Sequence, residues 1–170
     1  MDLATIDLDK EIKPFDFLDI IRGFFPALDF SSYENIQRVE IIEWIMTQIF
    51  ENIADTLPVR EWLHGGMYSR ELTMLADTLA TGKLHPIEHV LILSKGKLMV
   101  LANDGIETLE APAFVTIGKN TKKVAYSYTD CVLTTVNCTQ KTTIKEAYEE
   151  SNIDSDLSWV EQLHNEQVRI

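Results

Sequence analysis

The chain has 170 residues, enough for one domain with a real hydrophobic core plus an appendage at either end. Hydrophobic content of 45% and charged content of 25% are ordinary for a globular protein. A net charge of −12 excludes nucleic acid and anionic membrane surfaces as main partners by repulsion, and no run approaches the ~18 apolar residues of a membrane span.

Residues 1–30 set short apolar clusters (Phe15, Phe17, Leu18, Ile20 and Ile21, then Phe24, Phe25, Leu28 and Phe30) among Pro14, Gly23 and Pro26. Proline and glycine interrupt regular structure, so this stretch is expected to be an arm with one short helix at 15–22. The start is acidic and has no basic stretch followed by an apolar one, so secretion is not expected. An arm this apolar has to lie on a surface, either its own barrel or a neighbouring subunit or partner protein.

A helix is predicted within 31–57. Ser31 with Glu34 three residues later has the form of a capping box. Ile36, Val39, Ile42, Ile45 or Met46, Ile49, Phe50 and Ile53 then recur at three and four, giving one broad apolar face. Glu34, Arg38, Glu43, Gln48 and Glu51 fill the other side, while Ile41 and Trp44 widen the stripe. That width implies burial on more than one side, against a barrel and a second subunit or within a monomer core. Pro58 ends the region.

From about residue 67 the period changes to two. Tyr68–Met74, Val90–Leu93, Lys97–Leu101, Ile106–Leu109, Phe114–Ile117, Val124–Tyr128 and Cys131–Val136 are short β-prone runs separated by turn signals. Seven short strands without intervening helix predict a sandwich or barrel of hairpins over 64–139. The firmest hairpin joins Met99–Leu101 to Ile106–Leu109 through Asn103-Asp104-Gly105. Lys119, Lys122 and Lys123 form the only tight basic cluster and read as a solvated hairpin tip. Cys131 and Cys138 lie seven apart in one extended stretch, so they face opposite ways and do not pair; they read as reduced thiols. Residues 140–170 are expected to be an acidic, partly helical and partly exposed tail with an apolar foot at Leu157, Trp159, Val160 and Leu163.

The stretch from Gly82 to Gly96 resembles the first cupin motif, in which two histidines stand two apart, a glutamate follows four later and a glycine seven after that. The second histidine falls on His85 and the glycine on Gly96, whereas Lys83 holds the first histidine position and His89 the glutamate position. The second motif's histidine should fall near Thr121–Lys123, where there is none. Tyr68-Ser-Arg70-Glu71, Thr81–His85, Leu93–Gly96, Asp104-Gly105, Leu109–Pro112 and Lys122–Tyr126 further resemble small cupin-domain proteins of bacteriophages. The resemblance, over roughly residues 64–139, implies a mainly β fold, a cupin-like antiparallel jelly-roll barrel; the residues outside it add an N-terminal arm and long helix and a short helical tail.

Cupin metals need about four converging ligands. His85 and His89 share strand parity across Pro86, and Glu88, Cys131 or Asn137 are the available completions; His64 before Gly65-Gly66 cannot be placed. Two readings stand: a two-histidine metal site, or hydrogen-bonded histidines near a barrel rim, which the incomplete set favours. Arg70 either binds an anion in the barrel mouth or bridges an edge. No phosphate loop, nucleophile elbow or HExxH helix is present. The expected function is therefore a non-enzymatic structural or accessory protein. The resemblance makes it a bacteriophage virion component, in the virion or host cytoplasm, that forms a homo-oligomer or docks on other virion proteins through its arm and helix, with no cofactor. The alternatives are a cupin enzyme with one divalent transition metal on His85 and His89, and a small-molecule-sequestering cupin using Arg70 and the nearby lysines.

Overall fold

The computed structural model describes residues 17–49 and 57–168. Helix α1 (Phe17–Phe24), a 3-10 turn (Phe30–Ser32) and helix α2 (Asn35–Ile49) precede nine strands. These are β1 (Val59–His64), β2 (Met67–Met74), β3 (Thr78–Thr81), β4 (His89–Lys95), β5 (Lys97–Ala102), β6 (Gly105–Glu110), β7 (Ala113–Ile117), β8 (Val124–Ser127) and β9 (Cys131–Cys138). Helices α3 (Ile144–Ser151) and α4 (Ser158–Val168) follow. A five-stranded sheet, β1-β2-β9-β4-β7, faces a four-stranded one, β3-β8-β5-β6, with every pairing antiparallel. This is the mainly β fold of antiparallel sheets expected from the sequence. Arm residues 1–16, and Phe50, Glu51 and Ile53 of the predicted helix, lie outside the described residues.

The Asn103-Asp104 hairpin forms in the expected register, with Ala102 opposite Gly105 and Lys97 opposite Glu110. Two strands escape the sequence reading. In β1 the inward row Val59, Glu61, Leu63 carries a carboxylate in the middle, which breaks the apolar alternation. In β3 the four residues Thr78–Thr81 are all half-buried, so they show no period. Gly96, the motif glycine, has φ +91°; a Cβ there would stand 2.7 Å from Cys131 Sγ and closer still to the Asp130 carbonyl oxygen. Only glycine fits that turn.

Two cores share strand β5. Leu98 and Val100 point into the barrel beside Met74, Leu91, Leu93, Leu109, Cys131 and Leu133. Met99 and Leu101 point the other way, into a helical layer of Val39, Ile41, Ile42, Ile45, Met46, Ile21, Phe25 and Val160. Helix α2 is thus clamped between the four-stranded sheet and the chain's own α1 and α4. His164 of α4 has its ring 4.9 Å from that of Trp44 and 5.5 Å from that of Phe25, and its Nδ1 lies 2.8 Å from the Phe24 carbonyl oxygen. The described part of the arm is seated on its own chain, and the tail's apolar foot is part of that same layer.

Two details of α2 differ from expectation. Arg38, placed by periodicity on the polar side, is buried; its guanidinium donates to the carbonyls of Phe30 and Ser31 at 3.1 and 2.6 Å. It thereby satisfies backbone acceptors of the preceding 3-10 turn, which explains a charge inside an apolar layer. The capping contact is shifted by three residues: the Glu34 N–H donates to Gln37 Oε1 at 3.0 Å, while Ser31 is used by Asp29, which caps the 3-10 turn.

Candidate functional site

The interior of the five-stranded sheet changes character along the barrel axis. One cross-strand row runs Val59, Leu72, Leu133, Leu93, Ala113 and is wholly apolar. The next runs Glu61, Arg70, Thr135, Leu91, Val115. The third sets Leu63 opposite Tyr68, Tyr68 opposite Asn137, and His89 opposite Ile117. Because Val90 pairs with Val136, antiparallel register brings His89 beside Asn137. Polar groups therefore collect at one end of the barrel, joined there by His85 and Lys123 from the connections flanking β4 and β8.

His85 and His89 do come together, with ring centroids 4.3 Å apart, the backbone of His85 being fixed by a bridge to Thr121. His89 is buried, and its Nδ1 lies 3.3 Å from the Ile87 carbonyl oxygen. An N–H there leaves the Nε2 lone pair as acceptor, and Lys123 Nζ approaches it at 2.8 Å. Burial and then the Lys123 charge hold His85 down to about 3; burial and Lys123 hold His89 down to about 4. Both imidazoles are neutral at pH 7. Burial alone pushes the Lys123 ammonium down to about 8.

Arg70 donates to Glu61 at 2.8 Å, and the Tyr68 hydroxyl donates to the same carboxylate oxygen. Helix α3 lies across this end against β1 and β2. Thr143 caps it, accepting from the Glu146 N–H at 3.2 Å, so the helix begins where the strand connection ends. Its Tyr148 ring stands 4.9 Å from the Arg70 guanidinium and 5.5 Å from Lys83 Nζ, and Lys83 also pairs with Asp154 at 2.7 Å. The motif's first-histidine position is thus spent on the rim, between the barrel and the tail.

The other expected ligands fall elsewhere. Glu88 is exposed, and His64 is exposed on the outer face of β1. Cys131 is buried at the apolar end, six residues along β9 from Asn137, which is roughly 20 Å of strand. Asn137 alone shares the histidine end. Arg70 does not stand open to an anion, since Glu61 already neutralises it.

Nor is the basic cluster a solvated tip. Lys119 is exposed, but Lys122 is fully buried in the helical layer, 2.6 Å from Glu43 Oε2 and 2.5 Å from Ser155 Oγ. Lys123, the next residue, turns instead to the barrel side, where its Nζ lies 2.8 Å from His89 Nε2. The legible signal was the motif alignment, which set the missing histidine at Thr121–Lys123: an amine stands where an imidazole would.

The donors at this end are already engaged. The His89 lone pair is taken by an ammonium, whose charge would oppose a second cation. Among the described residues no three His, Cys, Asp or Glu side chains converge to hold an ion.

No protein-family model matches the chain, and no curated protein matches it. Among solved structures it is similar to a cupin 2 domain-containing protein from Halorhodospira halophila, at 11% identity and TM-score 0.48, covering 66% of this chain and 81% of that one. It is also similar to a cupin superfamily protein from Desulfitobacterium hafniense, at 4% identity and TM-score 0.45, covering 56% and 88%. KdgF from Halomonas sp. matches at 10% identity and TM-score 0.46, covering 53% and 86%.

Proposed function

We propose that this is a non-enzymatic accessory protein, a homo-oligomeric component of a bacteriophage particle, in which the cupin-like barrel serves as a metal-free scaffold. The observation that carries the reading is Lys123 Nζ on His89 Nε2 at 2.8 Å, an ammonium seated on the imidazole that a metal would need. Metal-dependent chemistry in such a barrel needs an ion with open coordination positions, and here the strongest donor is already engaged.

Assembly is supported by the outer face of the five-stranded sheet. There Trp62, Ser69, Val136, Val90 and Thr116 form one cross-strand row, and Arg60, Glu71, Thr134, Ile92 and Phe114 the next. Arg60 and Glu71 pair with each other, so these rows carry no net charge on a chain of −12. A second copy meets no repulsion on this face, whereas the acidic remainder repels it. The phage setting rests on the sequence resemblance. No described helix is long and apolar enough to cross a membrane.

Light scattering on a size-exclusion peak, with elemental analysis of the same fractions, tests the reading. A discrete multimer without stoichiometric metal is the expected result. A monomer carrying one transition metal per chain, lost in His89→Ala, would overturn it in favour of a metalloenzyme.

A further inference from the structure

Hydrogen-bond accounting at the histidine end leaves donors without acceptors. Asn137 is 6% exposed, and its Nδ2 has no partner in the structure. That amide has two N–H groups to place, and burying them unpaired is costly. Lys123 has three N–H groups and directs one to His89. No carboxylate of the described residues pairs with it, in contrast to Lys122 beside it, which has Glu43. The one carboxylate inside this end of the barrel, Glu61, is held by Arg70 and Tyr68. His85 and His89 are neutral and add no negative charge.

The surplus is therefore a half-buried cation, Lys123, seated on His89, and an unfilled amide donor on Asn137, which the register of β4 and β9 sets beside that same histidine. What they lack is an acceptor-only anion. Acceptors from water would satisfy the amide but leave the lysine charge uncompensated. We infer that the Lys123–Asn137 end of the barrel is a binding site for a small carboxylate, one oxygen accepting from the Lys123 ammonium and the other from the Asn137 amide. Arg70 and Glu61 wall the site on the β1–β2 side, and Tyr148 of α3 stands at its rim. In this arrangement the lysine supplies the fixed positive charge that a metal supplies in a metal-bearing barrel, and it recognises a carboxylate without exchanging electrons or labile ligands.

The inference rests on the metal-free reading, so the full chain is tested both in EDTA and without it. Sodium malonate and sodium acetate are titrated into the protein, with sodium chloride as the ionic-strength control and sodium phosphate as a second class of anion. Thermal unfolding and the side-chain amide resonances of Asn137 are followed together. The expected result is a saturable rise in Tm of about 5 °C with a carboxylate, with Asn137 side-chain shifts that saturate at the same concentration. Both responses should disappear in Lys123→Met and weaken at least tenfold in Asn137→Leu. If Lys123→Met does not fold, the Asn137 resonances of the unaltered protein still decide. No shift and no rise with either carboxylate would overturn the inference, leaving water as the occupant. An equal response to chloride would overturn it as a surface salt effect, and a response to phosphate alone would overturn the carboxylate assignment. A rise that EDTA abolishes would instead overturn the metal-free reading and this inference together, which separates the two failures.

Discussion

The two sheets of the barrel enclose one interior but meet the outside differently. The four-stranded sheet is covered by α2, with α1 and α4 packed behind it, so its strand β5 is buried on both faces and reads as the unbroken apolar run Leu98-Met-Val-Leu101. The five-stranded sheet is covered by no described helix over its middle rows. Its strand β7 alternates, and Phe114 is 73% exposed. Period in the sequence thus reports how many faces a strand buries, as well as whether it is a strand. Charge follows the same division: Lys122, on the covered side, is matched by Glu43, whereas Lys123, inside the barrel, has an imidazole and no carboxylate.

Breaking the covered side should cost most. Lys122→Met leaves Glu43, already pushed up by burial despite the pair, without its cation. Chemical denaturation should show a loss of about 3–5 kcal/mol, with most of it restored in Lys122→Met/Glu43→Leu. No loss would mean that the pair is solvated. The two faces of β5 come next: Leu98→Ala and Met99→Ala should each cost about 2–5 kcal/mol, since both sites are closed. A much smaller cost for Met99→Ala would show that the helical layer is loosely attached.

The interior of the barrel should reveal itself through pH. His85 and His89 titrate near 3 and 4 folded against 6.5 in the unfolded chain. Below pH 6.5 the unfolded chain therefore binds protons that the folded chain refuses. Their contribution is intact above about 6.5 and is lost as pH falls toward 4 and then 3. Urea midpoints should fall over that window and fall less in His89→Gln. Lys123 has the same sign in a different window. Its folded pKa of about 8 against 10.5 means the full cost of burying its charge is present below 8 and is relieved between 8 and 10.5. Lys123→Met should accordingly gain stability at pH 7 and lose that advantage above pH 10. The smallest change in folding is expected on the bare face: Phe114→Lys should alter stability by less than about 0.5 kcal/mol. It should nevertheless shift the light-scattering mass to the monomer; an unchanged multimer would move the interface elsewhere.

These contrasts also explain what the sequence could and could not tell. Strands β2 and β4–β9 were legible because turn residues and alternation agree there, and Gly96 stood out because a fixed spacing marks it. Helix α2 was legible for its apolar stripe, but Arg38 was misplaced because its partners are carbonyls of a turn eight residues away. The candidate site was half legible. His85 and His89 were found by spacing, whereas Lys123 was not, because two adjacent lysines look like a solvated tip until the fold turns them to opposite sides. Glu61 was hidden because β1 was not recognised as a strand.

Strand order carries a consequence for synthesis. Strand β9, the last of the described strands, lies between β2 and β4 in the middle of the five-stranded sheet. Until residue 138 has left the ribosome, the β1–β2 hairpin and the β4–β7 pair are separate, each with an unpaired inner edge. Elongation at about 5–20 residues per second leaves those edges open for several seconds. In that interval the nascent chain is most exposed to edge-to-edge pairing with its neighbours on the same message.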